Sequence, residues 1–203
     1  MAKILVLYPQ LFNCYAKFAR KVGKITSNLD DVELVYSNDP NQFIEIFCTE
    51  NSNSNSIRYR QLSTWSCDDI THAIVFDDGE EFPSEIELLK SAKVPHRLIH
   101  INITRVINIK SDTKYQAEKS TPKYEYIGRG SYWGNPHSMF EDGDDRDEVI
   151  RKYKYDFDYD KFINVDKSKV YELAGKRLGC FCKPQSCHGD VLADFLNSWD
   201  DGK

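Results

Sequence analysis

Short apolar runs that alternate with segments of helical periodicity are the feature that most constrains this chain. Lys3–Tyr8, Val32–Tyr36, Thr71–Phe76 and Arg97–Ile103 are each short, rich in aliphatic residues and suited to buried strands. The segments between several of them place apolar residues at helical spacing, and Asn13 could cap the first helix. This β–α–β order predicts an α/β fold with a mainly parallel sheet.

The C-terminal part of the chain has its own strands and helices. The pattern predicts strands at Tyr124–Ile127 and Lys176–Cys182, helices at Arg146–Tyr155 and Lys167–Leu173, and a final amphipathic helix. We therefore expect a smaller α/β part that packs against the first sheet.

Polar segments suggest where the chain divides. We expect a Rossmann-like domain with helices on both faces of its sheet at residues 1–110, a linker at 111–122 and a C-terminal domain at 123–203. The tract Glu50–Ser56 is polar and repetitive, which predicts a loop inside the first domain.

Charge and hydropathy exclude several classes of partner. The formal net charge is −5, and the acidic stretches Asp77–Glu81, Glu141–Asp147 and Asp156–Asp160 would repel a duplex, which argues against extended nucleic-acid binding. A small anionic ligand in a local basic pocket is compatible with this balance. No apolar run reaches the roughly 20 residues of a membrane helix. The first residues also lack the features of a signal peptide, so we expect a cytoplasmic protein without membrane contact.

Three of the six cysteines lie within eight residues of one another in the sequence LGCFCKPQSCHGD. Cys180 and Cys182 are two residues apart in a predicted strand, so their thiols point to the same side. Cys187 falls at the start of the last helix, where free N–H groups favour a thiolate or a bound anion.

This cluster allows three interpretations. Cys180, Cys182, Cys187 and His188 could bind zinc, although neighbouring residues such as Cys187 and His188 rarely reach one metal together. In a reactive site, Cys187 or Cys182 would be the nucleophile, His188 the acid or base and Asp190 its partner. In a structural turn, the cysteines pack while His188 and Asp190 cap the helix.

A second segment, GRGSYWGNP, combines glycines with polar and aromatic side chains. Gly130 allows close approach of the backbone to a ligand, Arg129 can pair with phosphate or carboxylate, and Ser131 and Asn135 can donate hydrogen bonds. Trp133 either stacks on a ring of the ligand or anchors a surface loop to the core. The set is typical of a nucleotide or nucleotide-sugar site.

Three motifs in this half resemble domain-of-unknown-function family 4326, which occurs in bacteria and their phages. The motifs are YIGRGSYWGNP, RDEVIRKY and LAGKRLGCFCKPQSCHGDVLADFL, and the resemblance covers roughly residues 123–199. It implies that the residues from Arg129 to Pro136 and the Cys180–Asp190 block are signature positions, but it carries no activity. The Cys-His ending is also similar to domain-of-unknown-function family 488. In that family an arginine follows the histidine, whereas in this chain the residue after His188 is Gly189.

The N-terminal half is similar to the SLOG group of Rossmann-like nucleotide-binding domains. The similarity lies in AIVFDDGEEFPSEIELLKSAKVP, and it implies ligand-binding roles for Gly79 and Glu85, with Ser84 beside them. The glycine-rich loop of that group is absent after the first strand, where Pro9-Gln10 and Phe12 stand instead.

These observations support three hypotheses of function. In the first, a cleft between the GRGS loop and the CHGD turn binds a small nucleotide-like or nucleotide-sugar-like anion, with cleavage or transfer at an N-glycosidic or phosphoester bond as the reaction class. In the second, a non-catalytic phage protein sequesters a signalling nucleotide or binds a host protein. In the third, the cysteines make a zinc-stabilised structural module.

Overall fold

The computed structural model describes residues 1–52, 56–115, 117–139 and 143–202, and the chain forms two compact units. The first unit is Met1–Ile101 together with the chain end from Ser198, and the second is Asn102–Asn197. Residues 102–122, which the sequence assigned to the first domain and a linker, thus lie in the second unit. No helix among the described residues combines the length and the hydrophobicity that crossing a membrane requires.

The first unit alternates strands and helices along the chain. Its elements are β1 (Ala2–Leu7), α1 (Tyr15–Thr26), β2 (Asp31–Tyr36), α2 (Phe43–Asn51), β3 (Ser56–Gln61), a 3-10 turn (Cys67–Asp69), β4 (His72–Asp77), α3 (Pro83–Ser91) and β5 (His96–His100). The sheet order is β3-β2-β1-β4-β5 and every pairing is parallel. The predicted parallel sheet is confirmed.

Helices cover both faces of this sheet. Ala73 and Val75 of β4 pack in one apolar cluster with Ile86 and Leu89 of α3. The next residue of β4, Phe76, points the other way and stacks on Phe18 of α1 with ring centroids 5.2 Å apart. Alternation along the strand therefore supplies apolar side chains to both layers, which explains why the strands are apolar throughout.

Strand β3 is an element that the sequence analysis missed. It lies at the edge of the sheet, where Ile57 is buried while Arg58 and Arg60 are exposed and pair with Asp31 and Glu33 of β2 at 2.7 and 3.1 Å. The strand is buried on one side only, and its charged residues interrupt the apolar run by which the other strands were recognised. The predicted loop at 50–56 is shorter in the structure, since α2 ends at residue 51 and β3 begins at 56, with residues 53–55 outside the described chain.

The second unit is a mixed α/β fold. Its elements are β6 (Arg105–Asn108), a 3-10 turn (Thr113–Tyr115), β7 (Ser120–Thr121), β8 (Tyr124–Tyr126), α4 (Arg146–Asp158), a 3-10 helix (Lys167–Leu173), β9 (Arg177–Cys180) and α5 (His188–Ser198). The sheet order is β6-β9-β8-β7, with β7 antiparallel to β8 and the other pairs parallel. The expected smaller C-terminal α/β part is confirmed.

The core of the second unit lies between the sheet and its helices. Leu178 of β9, Phe157 of α4 and Leu192 of α5 belong to one buried cluster. At the end of α5, the buried Asn197 side chain binds both backbone groups of Thr104: its Oδ1 accepts from the Thr104 N–H at 2.8 Å, and its Nδ2 donates to the Thr104 carbonyl at 3.0 Å. This amide fixes the end of the helix against the entry to β6.

We expect Asn197→Ala to destabilise the second unit by about 2–4 kcal/mol, because it leaves a buried N–H and a buried C=O without their partners. The loss is measured by chemical unfolding in a background where Trp65 and Trp199 are replaced by phenylalanine, so that the fluorescence comes from Trp133, which is buried in this unit. The control Asn102→Ala removes the same side chain at an exposed position nearby, and we expect a change within about 0.5 kcal/mol. Equal stability of the two variants would contradict this role.

Candidate functional site

The segment that follows β8, residues Gly128–Pro136 (the glycine loop), makes two successive tight turns. The Ser131 N–H donates to the Gly128 carbonyl at 3.0 Å, and the Gly134 N–H donates to the Ser131 carbonyl at 3.1 Å. Gly130 has a φ of +81°, a conformation that favours glycine. At Gly134 a Cβ would lie 2.6 Å from the Gly128 carbonyl oxygen, so only glycine fits where the loop closes on itself.

The two aromatic residues of this loop have different environments. Trp133 is 4% exposed and belongs to the core cluster, and its carbonyl accepts a hydrogen bond from the Tyr153 hydroxyl of α4 at 2.9 Å. Its indole is therefore the anchor of the loop and does not present the stacking face that was the other interpretation. Tyr132 is 42% exposed and is the aromatic ring that the loop offers to solvent.

Asn135 and Arg129 connect the loop to the residues that follow it. The Asn135 amide donates to the Val149 carbonyl of α4 at 3.1 Å and accepts from the His137 N–H at 2.9 Å. The Arg129 guanidinium makes two long hydrogen bonds, 3.4 Å to the Ser138 hydroxyl and 3.3 Å to the His137 carbonyl. These bonds orient Arg129 and use only part of its five N–H donors within the described chain.

The connection between β9 and α5, residues Cys180–Cys187 (the cysteine turn), brings three thiols together. Cys180 is the last residue of β9, and its Sγ lies 3.5 Å from that of Cys182. The sulfurs of Cys180, Cys182 and Cys187 all lie within 4.8 Å of one another. The sequence predicted a strand through Cys182, but β9 ends at Cys180, so the connection after the strand holds Cys182 beside Cys180. The start of α5 brings the third thiol.

Cys187 and Asp190 form the N-terminal cap of α5. The Cys187 N–H donates to the Asp190 carboxylate at 2.9 Å, and the Gly189 N–H donates to the Cys187 sulfur at 3.4 Å. Asp190 also pairs with Lys183 at 2.7 Å. Asp190, which the reactive-site interpretation made a partner of His188, thus caps the helix, as the structural interpretation expected.

His188 is buried at the start of α5. Its Nε2 lies 2.8 Å from the carbonyl oxygen of Ile127, the residue before the glycine loop, and its Nδ1 lies 3.7 Å from the Cys187 sulfur. Since a carbonyl only accepts, Nε2 carries the proton and Nδ1 faces the thiol. Burial lowers the pKa of His188, which favours the neutral ring.

Hydrogen bonding separates the acidities of the three thiols. Hydrogen bonding with the nearby Cys187 thiol lowers the pKa of Cys180, and the same interaction raises the pKa of Cys187. Burial and then the negative charge of Cys180 raise the pKa of Cys182. Cys180 is therefore the first of the three to become a thiolate.

The glycine loop and the cysteine turn line a common cavity of about 190 Å³. Among its walls are Arg129, His188, the three clustered cysteines and Arg146, the first residue of α4. A second cavity of about 690 Å³ shares Arg129 and also touches Tyr132, Gly130 and Ser131. Within the described chain, the buried Ser131 hydroxyl has no hydrogen-bond partner.

Sequence analysis missed several residues of these cavities, and two of them, Arg146 and Tyr132, bear on what the cavities can bind. Arg146 opens the RDEVIRKY motif, but only the fold brings it beside the thiols, where its guanidinium donates to the Ser186 carbonyl at 3.2 Å. Tyr132 was overlooked beside the larger Trp133. Which of the two rings is exposed depends on α4, because the Tyr153 hydroxyl of that helix binds the Trp133 carbonyl.

The expected ligand residues of the N-terminal half lie at the carboxyl end of β4. The Gly79 N–H donates to the Asp77 carboxylate at 2.8 Å, and Glu85 is in the first turn of α3 after Pro83. After β1, where the glycine-rich loop of SLOG domains is missing, Phe12 packs against Phe76 with ring centroids 5.1 Å apart. Aromatic packing thus takes the place of a phosphate-binding turn.

The fold defines an α/β protein with a parallel Rossmann-like unit and a mixed unit, and the mixed unit carries the glycine loop and the cysteine turn. The chain belongs to the family of the minimal SLOG domain, whose model matches residues 1–107, and this family is linked to nucleotide binding. Residues 108–198 match the model of domain of unknown function 4326. Both resemblances predicted from the motifs are confirmed.

A relative of the chain occurs in Enterobacteria phage T4, as an uncharacterised 12.4 kDa protein of the nrdA–td intergenic region. The two are 40% identical over 72 residues, which is 35% of this chain. The match covers about 65% of the length of the phage protein. No solved structure matches the chain significantly.

We expect Gly134→Ala to destabilise the second unit by about 1–3 kcal/mol, because the added methyl group would overlap the Gly128 carbonyl and force the loop open. Trp133 fluorescence during chemical unfolding measures the change. The control is Gly23→Ala in α1 of the first unit, whose Cβ would lie at an ordinary distance of 3.7 Å from the ring of Phe47 in α2, so the unfolding that Trp133 reports should not change. A Gly134→Ala protein as stable as the wild type would contradict the tight closure of the loop.

Proposed function

We propose that the second unit binds the anionic part of a nucleotide-like or nucleotide-sugar-like small molecule between the glycine loop and the cysteine turn. The observation that carries this proposal is the convergence of Arg129 and Arg146 on one cavity. The two guanidinium groups come from different elements, a loop and a helix start, and are held there by bonds to backbone carbonyls. Two oriented guanidinium groups match the geometry of phosphate oxygens.

The cavities also fit the size of such a ligand. The smaller cavity can take a phosphate group, and the neighbouring cavity of about 690 Å³ falls within the range of roughly 300–1,000 Å³ that is usual for small-molecule sites. Arg129 lines both, so one ligand can extend from one to the other. Tyr132 would supply a stacking face and Ser131 a hydroxyl for the sugar or base.

Binding is a better match to this geometry than acid–base catalysis by His188 and Asp190. The Nε2 of His188 is engaged with the Ile127 carbonyl, and the Asp190 carboxylate with the Cys187 N–H and Lys183. Asp190 would have to give up a contact of the fold to transfer a proton to a ligand, and the remaining ring nitrogen of His188, Nδ1, faces the Cys187 sulfur. We therefore propose that the site holds its ligand rather than cleaves it.

Calorimetric titration with UDP-glucose, inorganic pyrophosphate and the uncharged nucleoside uridine tests the binding. We expect the two phosphate compounds to bind and Arg129→Gln to weaken them about 10- to 100-fold, since a hydrogen bond to a charged group contributes about 1.5–3 kcal/mol. Arg151→Gln is the matched control: Arg151 is exposed on α4, where it pairs with Glu148 at 2.6 Å. Binding that is unchanged by Arg129→Gln, or equal for uridine, would contradict the proposal.

Prolonged incubation distinguishes a binding protein from an enzyme. We expect UDP-glucose to be recovered unchanged by chromatography after incubation with the wild-type protein. If products formed, and Cys187→Ser or His188→Gln abolished them while binding persisted, the protein would be a hydrolase or transferase that uses the cysteine turn.

A further inference from the structure

We propose that Cys180, Cys182 and Cys187 form a three-thiolate site for one zinc ion or a similar thiophilic divalent metal, with the fourth coordination position open to the cavity. The proposal rests on the arrangement of the sulfur atoms and is independent of the nucleotide-like ligand proposed above. It differs from the four-ligand site that the sequence alone allowed.

The separations of the sulfurs match a tetrahedral metal. With Zn–S bonds of about 2.3 Å, two thiolates on one zinc lie roughly 3.8 Å apart. The Cys180 and Cys182 sulfurs are 3.5 Å apart, and all three pairs lie within 4.8 Å. Changes of up to about 1 Å in these separations, within the reach of ordinary side-chain rotations, would bring the three sulfurs onto one ion.

The three ligands come from elements that hold them in place. Cys180 ends β9 and Cys187 immediately precedes α5, so a strand and a helix fix these two cysteines. Cys182 lies in the connection between them. The Gly189 N–H points to the Cys187 sulfur at 3.4 Å. Such outer hydrogen bonds orient metal ligands in known sites.

The chemistry of the donors selects the metal. Thiolates are soft ligands that favour zinc and similar ions, whereas magnesium and calcium require oxygen ligands. A divalent ion with three thiolates has a formal charge of −1. The guanidinium group of Arg146, which lines the same cavity as the three thiols, offsets that charge.

The fourth position is open to the cavity. The Nδ1 of His188 lies 3.7 Å from the Cys187 sulfur, but within the described chain it falls outside the group of ligand atoms that all lie within 4.8 Å of one another. All three cysteines line the cavity that also contains Arg129 and Arg146. A water molecule or an oxygen of a bound anion can therefore complete the tetrahedron.

Cobalt substitution and X-ray absorption test the site on the full-length protein. After reduction and chelation, we expect titrated Co²⁺ to bind one ion per chain with sulfur-to-cobalt charge-transfer bands and tetrahedral d–d bands, and Zn²⁺ to displace it. The absorption fine structure of the zinc form should contain three sulfur scatterers at about 2.3 Å and one lighter atom. No uptake by the reduced protein, or a shell of nitrogen and oxygen alone, would overturn the proposal without any variant.

Two substitutions locate the metal. We expect Cys182→Ser to weaken metal binding at least 100-fold, while the control Cys67→Ser, which changes a partly exposed cysteine of the first unit, binds as the wild type does. His188→Gln should keep the metal and its charge-transfer bands. Full metal binding by Cys182→Ser would contradict the three-cysteine site, and loss of metal from a folded His188→Gln protein would contradict the open fourth position.

Discussion

The hydrogen bond between His188 Nε2 and the Ile127 carbonyl determines where the two functional segments of the second unit meet. The bond is 2.8 Å long and buried, and Ile127 directly precedes the glycine loop while His188 begins α5. Gly189 makes this approach possible, because a Cβ there would overlap the side chain of Ile127 and press on that of Val106. The glycine loop and the cysteine turn therefore share a cavity, because the residue before the loop is bonded to the residue after the turn.

The parallel sheet could be predicted because its strands carry the information locally. A strand covered by helices on both faces is apolar along its buried stretch, as Ile4–Leu7 of β1 and Ala73–Phe76 of β4 are, and such runs are visible in any sequence. The edge strand β3 lacks this signature, since its outward residues are arginines. The boundary between the units was harder to place: the apolar residues of β5 and β6 are nearly continuous in sequence, and only the pairing of β6 with β9 assigns it to the second sheet.

The site was predictable where one element determines it and hidden where two elements meet. The expected alternation put Cys180 and Cys182 on the same side, and their sulfurs do lie together, although β9 ends at Cys180 and Cys182 lies in the connection after it. The approach of Cys187 depends on how α5 packs, and the position of Arg146 depends on α4. The choice between Trp133 and Tyr132 as the exposed ring is of the same kind, because the Tyr153 hydroxyl of α4 holds the Trp133 backbone in the core.

Charge links the proposed metal and anion sites. The chain has a net charge of −5, so a bound anion depends on local cations. Ionised thiols without a metal would place up to three negative charges beside Arg129 and Arg146 and oppose a phosphate group. A divalent ion reduces those charges to −1, and the two arginines then give the cavity a formal excess of +1. The metal would thus let thiolates and an anionic ligand occupy the same small cavity, with the guanidinium groups balancing both.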